Sequence, residues 1–188
     1  LLNGVIHLPH THIPEKNSFS WGQPKYGAEK ADALEEIINF HGKENIAAVI
    51  VEPVAGSTGV LVPPVGYLEK LRRICTNNDI LLIFDEVITG FGRLGESFAA
   101  EKLKVIPDIM TMAKGITNAT VPMGAVGVNA EIYETLINSK KEKIELFHGY
   151  TYSGHPLACA AGIATLDVYH EEKLFERASK FEKYFGDK

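Results

Sequence analysis

The apolar residues of this chain fall into short continuous runs that alternate with stretches of helical period. Residues 47–51, 80–84 and 109–113 are such runs, and 123–128 (Met-Gly-Ala-Val-Gly-Val) is a weaker fourth. Between them, residues 28–40 place Ala31, Leu34, Ile37 and Ile38 on one stripe. Residues 64–76 do the same with Leu68, Leu71 and Cys75, and begin on a proline, where a missing N–H costs a helix nothing. Buried runs alternating with amphipathic helices predict an α/β domain with a largely parallel sheet covered on both faces. Residues 1–26, rich in Pro, His and Asn and lacking any period, predict an extended covering segment, while 180–188 read as helix.

The polar residues that follow the runs give this pattern chemical content. Glu52, Asp85 and Lys114 each stand just past the carboxyl end of one run. Open parallel sheets bind ligands outside the carboxyl ends of their strands, so three ionisable groups are expected at one sheet edge.

Composition narrows the function classes. The 188 residues can bury one sizeable core, and 45% apolar with 23% charged residues is the balance of a folded, water-soluble chain. The net charge of −5 is scattered, with no basic block longer than Lys140-Lys141, so nucleic-acid binding has no electrostatic footprint. No apolar run approaches the roughly 20 residues that cross a bilayer, so no membrane role is expected. Cys75 and Cys159 lie far apart outside any CxxC pattern and read as buried apolar residues in a reducing, cytoplasmic setting. The chain opens on Leu1-Leu2 and closes inside a helical pattern, as a piece of something longer would.

Several motifs compete for the chemistry. A hydrophobic strand ending in Asp85-Glu86 is how a P-loop ATPase holds magnesium, but that reading needs a GxxxxGK[ST] loop, which these residues lack. Gly90-Phe-Gly92-Arg-Leu-Gly95 matches the GxGxxG of Rossmann oxidoreductases. Here residues 86–89 separate the glycines from the run, and the next run ends in Lys114 rather than an acidic residue. These glycines are expected to let a loop turn back under the site. A strand end carrying solvated carboxylates is the plainest reading. His10 and His12, two apart, would share a face of a strand as metal ligands do, although a surface loop is the expected setting and no metal is assigned.

A further reading pairs Asp85 with Lys114. A lysine at a strand end between the small residues Ala113 and Gly115 can be partly desolvated, which makes its amine a nucleophile toward an aldehyde. An aspartate on a nearby strand can keep a pyridine nitrogen protonated, an interaction on the order of 4 kcal/mol at contact for an effective dielectric near 20. These are the two groups that pyridoxal phosphate chemistry requires.

The order of residues resembles a known family. Ile83-Phe-Asp85-Glu86-Val87-Ile88-Thr89-Gly90-Phe91-Gly92-Arg93, followed by Pro107-Asp108-Ile-Met-Thr-Met-Ala113-Lys114-Gly115, is similar to the class III aminotransferase signature. Val51-Glu52-Pro53-Val-Ala-Gly56, Pro122-Met123-Gly124-Ala125 and the stretch from His148 to Ala161 extend it over about residues 5–180. Within the class it is most like the ω-amino acid–pyruvate (β-alanine–pyruvate) aminotransferases.

That resemblance implies part of a fold type I large domain, a mostly parallel sheet flanked by helices and incomplete at both ends. Residues 1–170 would belong to this cofactor-binding domain, and 171–188 would lead toward a small domain absent from the chain. The cofactor implied is pyridoxal 5'-phosphate. Lys114 would hold it as a Schiff base and then move the substrate proton, Asp85 would bind its pyridine nitrogen, and Val87 would pack on its ring. Thr151 would reach the cofactor phosphate of the neighbouring subunit of a homodimer, with Tyr150 at that interface and His148 and His155 supporting it. Glu52 would lie near the cofactor or the substrate pocket. Ile88 stands where many members have a glutamine, and isoleucine is usual in the pyruvate-linked subgroup. The reaction implied moves an amino group from an ω-amino acid or amine to a keto acid such as pyruvate. A non-catalytic fragment or remnant is the alternative, because the family's phosphate-binding loop and carboxylate-binding arginine would fall outside residues 1–188. Two departures concern the backbone: Ala119-Thr120 replaces the usual Gly-Ala, which strains the loop if Ala119 needs a positive φ, and Asp79 takes a helix-end position where glycine is usual.

Overall fold

The computed structural model describes residues 3–138, 146 and 148–187; Leu1, Leu2, Lys140, Lys141 and Lys188 lie outside the described residues. The N-terminal segment is extended apart from one helical turn, α1 (Pro14–Asn17). A 3-10 turn, Ala28–Ala31, leads into α2 (Asp32–His41), so regular helix starts later than the apolar stripe suggests. Next come β1 (Ala48–Val51), α3 (Tyr67–Asn77) and β2 (Leu81–Asp85), then α4 (Ala99–Leu103), β3 (Ile109–Met112) and β4 (Ala125–Val128). The described chain finishes with α5 (Ala130–Ile137), α6 (Pro156–Glu171) and α7 (Leu174–Gly186). Helix α3 begins at Tyr67 rather than Pro64 because Gly66, at φ +85°, stands in a left-handed conformation that no α-helix continues through. Beyond its far end, Asp79 adopts φ +58°, the geometry its helix-end position predicts, and pairs with Lys43 at 2.8 Å.

The strands form one four-stranded sheet in the order β1-β2-β3-β4. β1, β2 and β3 run parallel, with Val51 opposite Phe84 and Asp85 opposite Thr111. β4 is antiparallel to β3. The reason is the connection: residues 113–124 wind through a single 3-10 turn, Lys114–Thr117, too short for the crossover helix that a parallel neighbour requires.

The core lies on one face of this sheet. Leu34 and Ile38 of α2 and Leu68, Leu71, Ile74 and Cys75 of α3 pack with Val49, Leu82 and Phe84, all buried. Each such aliphatic or aromatic side chain contributes about 1.5–3 kcal/mol. Coverage of both faces, expected from the continuous apolar runs, is not seen among the described residues. On the opposite face Ile50 is 63% exposed and Val126 65% exposed. The segments after β2 and β3 are a glycine loop with the short α4 and a 3-10 turn, and none of them lays a long helix over that face. Asp85 and Thr111 stand in the same face as Ile50, because residues that pair in register share a side and residues two apart along a strand return to it.

Candidate active site

Three parallel strands in register open their carboxyl ends at one edge, and this is where the polar residues gather. Val51 is level with Phe84, so Glu52 and Asp85 leave neighbouring strands side by side. Lys114 follows shortly after Thr111, the partner of Asp85 on the next strand. The sheet therefore brings the expected residues to one edge: Asp85 is the last residue of β2, and Lys114 follows two residues after the end of the parallel neighbour β3.

Local bonds fix each part. The Asp85 Oδ1 accepts the N–H of Val87 at 3.1 Å, turning the chain as soon as β2 ends. The Glu86 N–H donates to the Thr111 carbonyl at 2.9 Å, which continues the ladder one step past β2. Glu52 Oε2 accepts the N–H of Gly56 at 3.0 Å and closes the 52–56 turn. Ile88 lies against that turn so closely that a Cβ on Gly56 would come within 2.7 Å of the Ile88 Cδ1. Glu52, Val87 and Ile88 thus border the same corner as Asp85.

Lys114 opens the 3-10 turn at φ +47°, directly after an extended Ala113. It is exposed, which corrects the expectation of a partly desolvated amine: its small neighbours Ala113 and Gly115 are half-buried, while the lysine side chain itself stands out into solvent. Among the described residues neither Asp85 nor Lys114 takes part in an ion pair.

Thr151 and Tyr150 stand in an exposed turn before α6, closed by the Ser153 N–H on the Tyr150 carbonyl at 2.9 Å and by the Tyr150 N–H on Ser153 Oγ at 3.0 Å. No hydrogen bond ties Thr151 to Asp85 or Lys114 among the described residues. His155 acts locally, its Nδ1 accepting the Leu157 N–H at 3.2 Å to cap α6. His148 packs edge-on to Tyr150, ring centroids 5.5 Å apart. His10 and His12 have centroids 6.4 Å apart, and no group of three or more His, Cys, Asp or Glu among the described residues could hold a metal ion.

The Gly90–Gly95 loop does turn back, with the Phe91 N–H on the Ser97 carbonyl at 2.7 Å and the Gly92 N–H on the Glu96 carbonyl at 3.1 Å. Its glycines also serve close packing. Gly92, at φ +93°, touches Phe175 of α7, where a Cβ would come within 2.5 Å of the ring.

Two residues were not singled out from sequence. Glu86 is fully buried and accepts three bonds: from Thr89 Oγ1, from the Ala99 N–H at 2.9 Å and from the Ala100 N–H at 2.8 Å. It caps α4, whose own start at Phe98 offers no side-chain acceptor. That uncapped Phe98-Ala99-Ala100 start was the available signal. The second is Tyr169 of α6, whose hydroxyl donates to the Gly115 carbonyl at 2.7 Å. No local pattern marks it, since its partner is distant in the chain.

The family model for aminotransferase class-III matches residues 3–188. The chain belongs to the class III aminotransferase family. It is 62% identical over 187 residues to the omega-aminotransferase of Caulobacter vibrioides, covering 100% of this chain and 43% of that protein. It is 51% identical to the beta-alanine–pyruvate aminotransferase of Pseudomonas aeruginosa, over 98% of this chain and 42% of that protein. The omega transaminase of Pseudomonas jessenii, solved in complex with PMP, superposes with a TM-score of 0.84 at 38% identity, over 94% of this chain and 39% of that one. The class III chain therefore spans about two fifths of the length of these relatives, and its mostly parallel sheet flanked by helices corresponds to part of the fold type I architecture. Among the described residues, no helix is long and apolar enough to cross a membrane.

Proposed function

We propose that this chain carries the cofactor-lysine region of a pyridoxal-phosphate-dependent aminotransferase that moves an amino group from an ω-amino acid or amine to a keto acid such as pyruvate. The observation that carries the reading is that Asp85 ends β2 on the open face while Lys114 follows the carboxyl end of the adjacent parallel strand β3. The residues present fit the cofactor. Lys114 offers an accessible amine, and Asp85 keeps one carboxylate oxygen for a ring N–H while the other holds the Val87 amide. The names of the relatives, an omega-aminotransferase and a beta-alanine–pyruvate aminotransferase, support the substrate class.

When bound, pyridoxal phosphate supplies an aldehyde for the lysine amine and a ring that accepts electrons as a substrate Cα–H bond breaks. The protein's part is to place charge and protons. Asp85 holds the proton on the ring nitrogen, which needs a carboxylate in contact with it. Lys114 would be the general base that moves the proton at its Nζ. Val87, fixed by its bond to Asp85, would pack on the ring. Glu52 and Ile88 form the wall at the 52–56 turn, where an aliphatic Ile88 leaves no hydrogen-bonding group.

Thr151, with Tyr150 beside it, serves the cofactor phosphate of the neighbouring subunit, and the protein is a homodimer. Their turn is exposed, as a surface meeting another subunit would be in the single chain, which supports that assignment. Residues 1–170 belong to the large domain and 171–188 lead toward a small one, in keeping with the break between α6 and α7 at Lys173. Free thiols at Cys75 and Cys159 suit a cytoplasmic setting.

The test is reductive trapping in the full-length protein. Pyridoxal phosphate followed by borohydride should leave one stable adduct, mapped by mass spectrometry to Lys114. Lys114→Ala should remove it along with essentially all transfer from β-alanine to pyruvate. An adduct at another lysine, or turnover surviving in Lys114→Ala, would overturn the reading.

A further inference from the structure

The turn that carries Lys114 is built in an unfavourable conformation. Lys114, Asn118 and Ala119 have φ of +47°, +50° and +55°, and none is glycine. Left-handed non-glycine residues persist only where the surroundings over-determine them. Part of the constraint is local: the Lys114 carbonyl accepts the Ala119 N–H at 2.8 Å, and the Gly115 carbonyl accepts the Asn118 N–H at 3.1 Å. Such short-range bonds do not anchor the turn to the rest of the molecule.

The anchor comes from α6. The Tyr169 hydroxyl gives the Gly115 carbonyl a second hydrogen bond at 2.7 Å, 54 residues away in sequence. The Tyr169 ring also stacks on Phe91 with centroids 6.2 Å apart and planes 23° apart, and packs on Phe175 at 5.2 Å. Phe91, itself at φ +58°, presses against Gly115 so closely that a Cβ there would come within 2.6 Å of the Phe91 Cβ. Phe91 belongs to the loop that leaves β2 after Asp85. One aromatic stack therefore touches both the loop after Asp85 and the turn of Lys114.

We infer that Tyr169 is a positioning residue: its hydroxyl, with Phe91 behind Gly115, clamps the left-handed turn and so sets where the Lys114 amine stands relative to Asp85. The inference deepens the aminotransferase reading and rests on it for the role of Lys114. Burial raises the titration of the Tyr169 phenol above its ordinary range, so it remains a donor at neutral pH.

Tyr169→Phe in the full-length protein tests this, since it keeps the ring stack and deletes only the O–H. Amide exchange at residues 115–119 should accelerate about tenfold, the scale of one lost hydrogen bond. The rate of borohydride-trappable adduct formation at Lys114 with pyridoxal phosphate should fall by about the same factor. In turnover, kcat should drop while the KM for pyruvate holds. Tyr184→Phe, an exposed tyrosine on α7, is the control and should match wild type. Tyr169→Leu, which also removes the stack, should exceed Tyr169→Phe on each measure. Unchanged exchange at residues 115–119, or an unchanged adduct rate, in Tyr169→Phe would overturn the inference. Failure of the wild-type protein to form any adduct at Lys114 would instead sink the aminotransferase reading, and the positioning role with it.

Discussion

Arg72 of α3 and Asp108, just ahead of β3, form an ion pair with Nη1 and Oδ2 2.7 Å apart, and both side chains are about one-fifth exposed. The same Asp108 oxygen accepts the Leu82 N–H at 2.7 Å, and its Oδ1 accepts from Asn129 Nδ2 at 3.3 Å. One carboxylate thus joins α3, β2 and the residue that follows β4, at the sheet edge opposite Lys114.

Losing this carboxylate leaves a mostly buried guanidinium without its counter-ion and the Leu82 N–H without its acceptor. Asp108→Ala should lower unfolding free energy by about 3 kcal/mol. Arg72→Ala should cost less, about 1–2 kcal/mol, because Asp108 keeps its bonds to Leu82 and Asn129. Urea titration of both variants and of the double variant measures the coupling. An Asp108→Ala protein as stable as wild type would show that water replaces all three donors.

Glu86 makes a prediction of a different kind, because its donors are backbone amides that cannot move away. In Glu86→Gln, an amide NH2 must face Ala99, Ala100 or Thr89, and the loss should be about 2 kcal/mol. The start of α4 and the loop carrying Phe91 should loosen first, seen as faster amide exchange over residues 87–100. Uniform exchange with unaltered melting would mean that the cap contributes nothing to holding this loop.

What the sequence disclosed about these two carboxylates differs for a physical reason. Asp85, Lys114 and Glu52 were legible because each ends a buried run, and a parallel sheet collects such ends at one edge. The strands were legible from the same runs, within a residue or two. Their direction was not: β4 is antiparallel because of the 113–124 connection, and apolar runs carry no sign of strand polarity. Glu86 was read with Asp85 as one acidic pair, though Asp85 joins the open face and Glu86 is sealed inside. A carboxylate one step along the chain turns to the other side, and only its amide partners from α4 make burial tolerable. Tyr169 was invisible for another reason, since its bond to Gly115 is a tertiary contact.

Ala119 offers a gain rather than a loss. At φ +55° its Cβ is in a conformation that glycine adopts freely, and the sequence pattern had already marked the position. Ala119→Gly should raise stability by about 0.5–1 kcal/mol, the relieved backbone strain less the extra freedom of the unfolded chain. Ala119→Val should lower it by more than the glycine gains, because β-branching worsens the same clash. Thermal unfolding of the pair decides the matter: a glycine variant less stable than wild type would mean that the turn is held without strain at Ala119.

Cys75 supplies a pH dependence whose sign follows from its burial. The thiol is fully buried on α3, and desolvation pushes its titration up from 9.0 to about 11. In the unfolded chain the thiol ionises near its ordinary value, so between about pH 9 and 11 the unfolded state holds fewer protons than the folded one. Stability must then fall as pH rises through that window, and the contribution is fully present below it. The comparison is wild type against Cys75→Ala, which removes the titration and leaves every other alkaline effect in place. The alanine variant should be less stable at about pH 7 through lost packing, and the difference should narrow steadily from about pH 9 to 11. Iodoacetamide at about pH 8 gives an independent reading: the half-buried Cys159 should react in the native protein while Cys75 reacts only on unfolding. Parallel stability profiles for the two proteins, or native alkylation of Cys75, would show that α3 opens to solvent far more readily than its packing indicates.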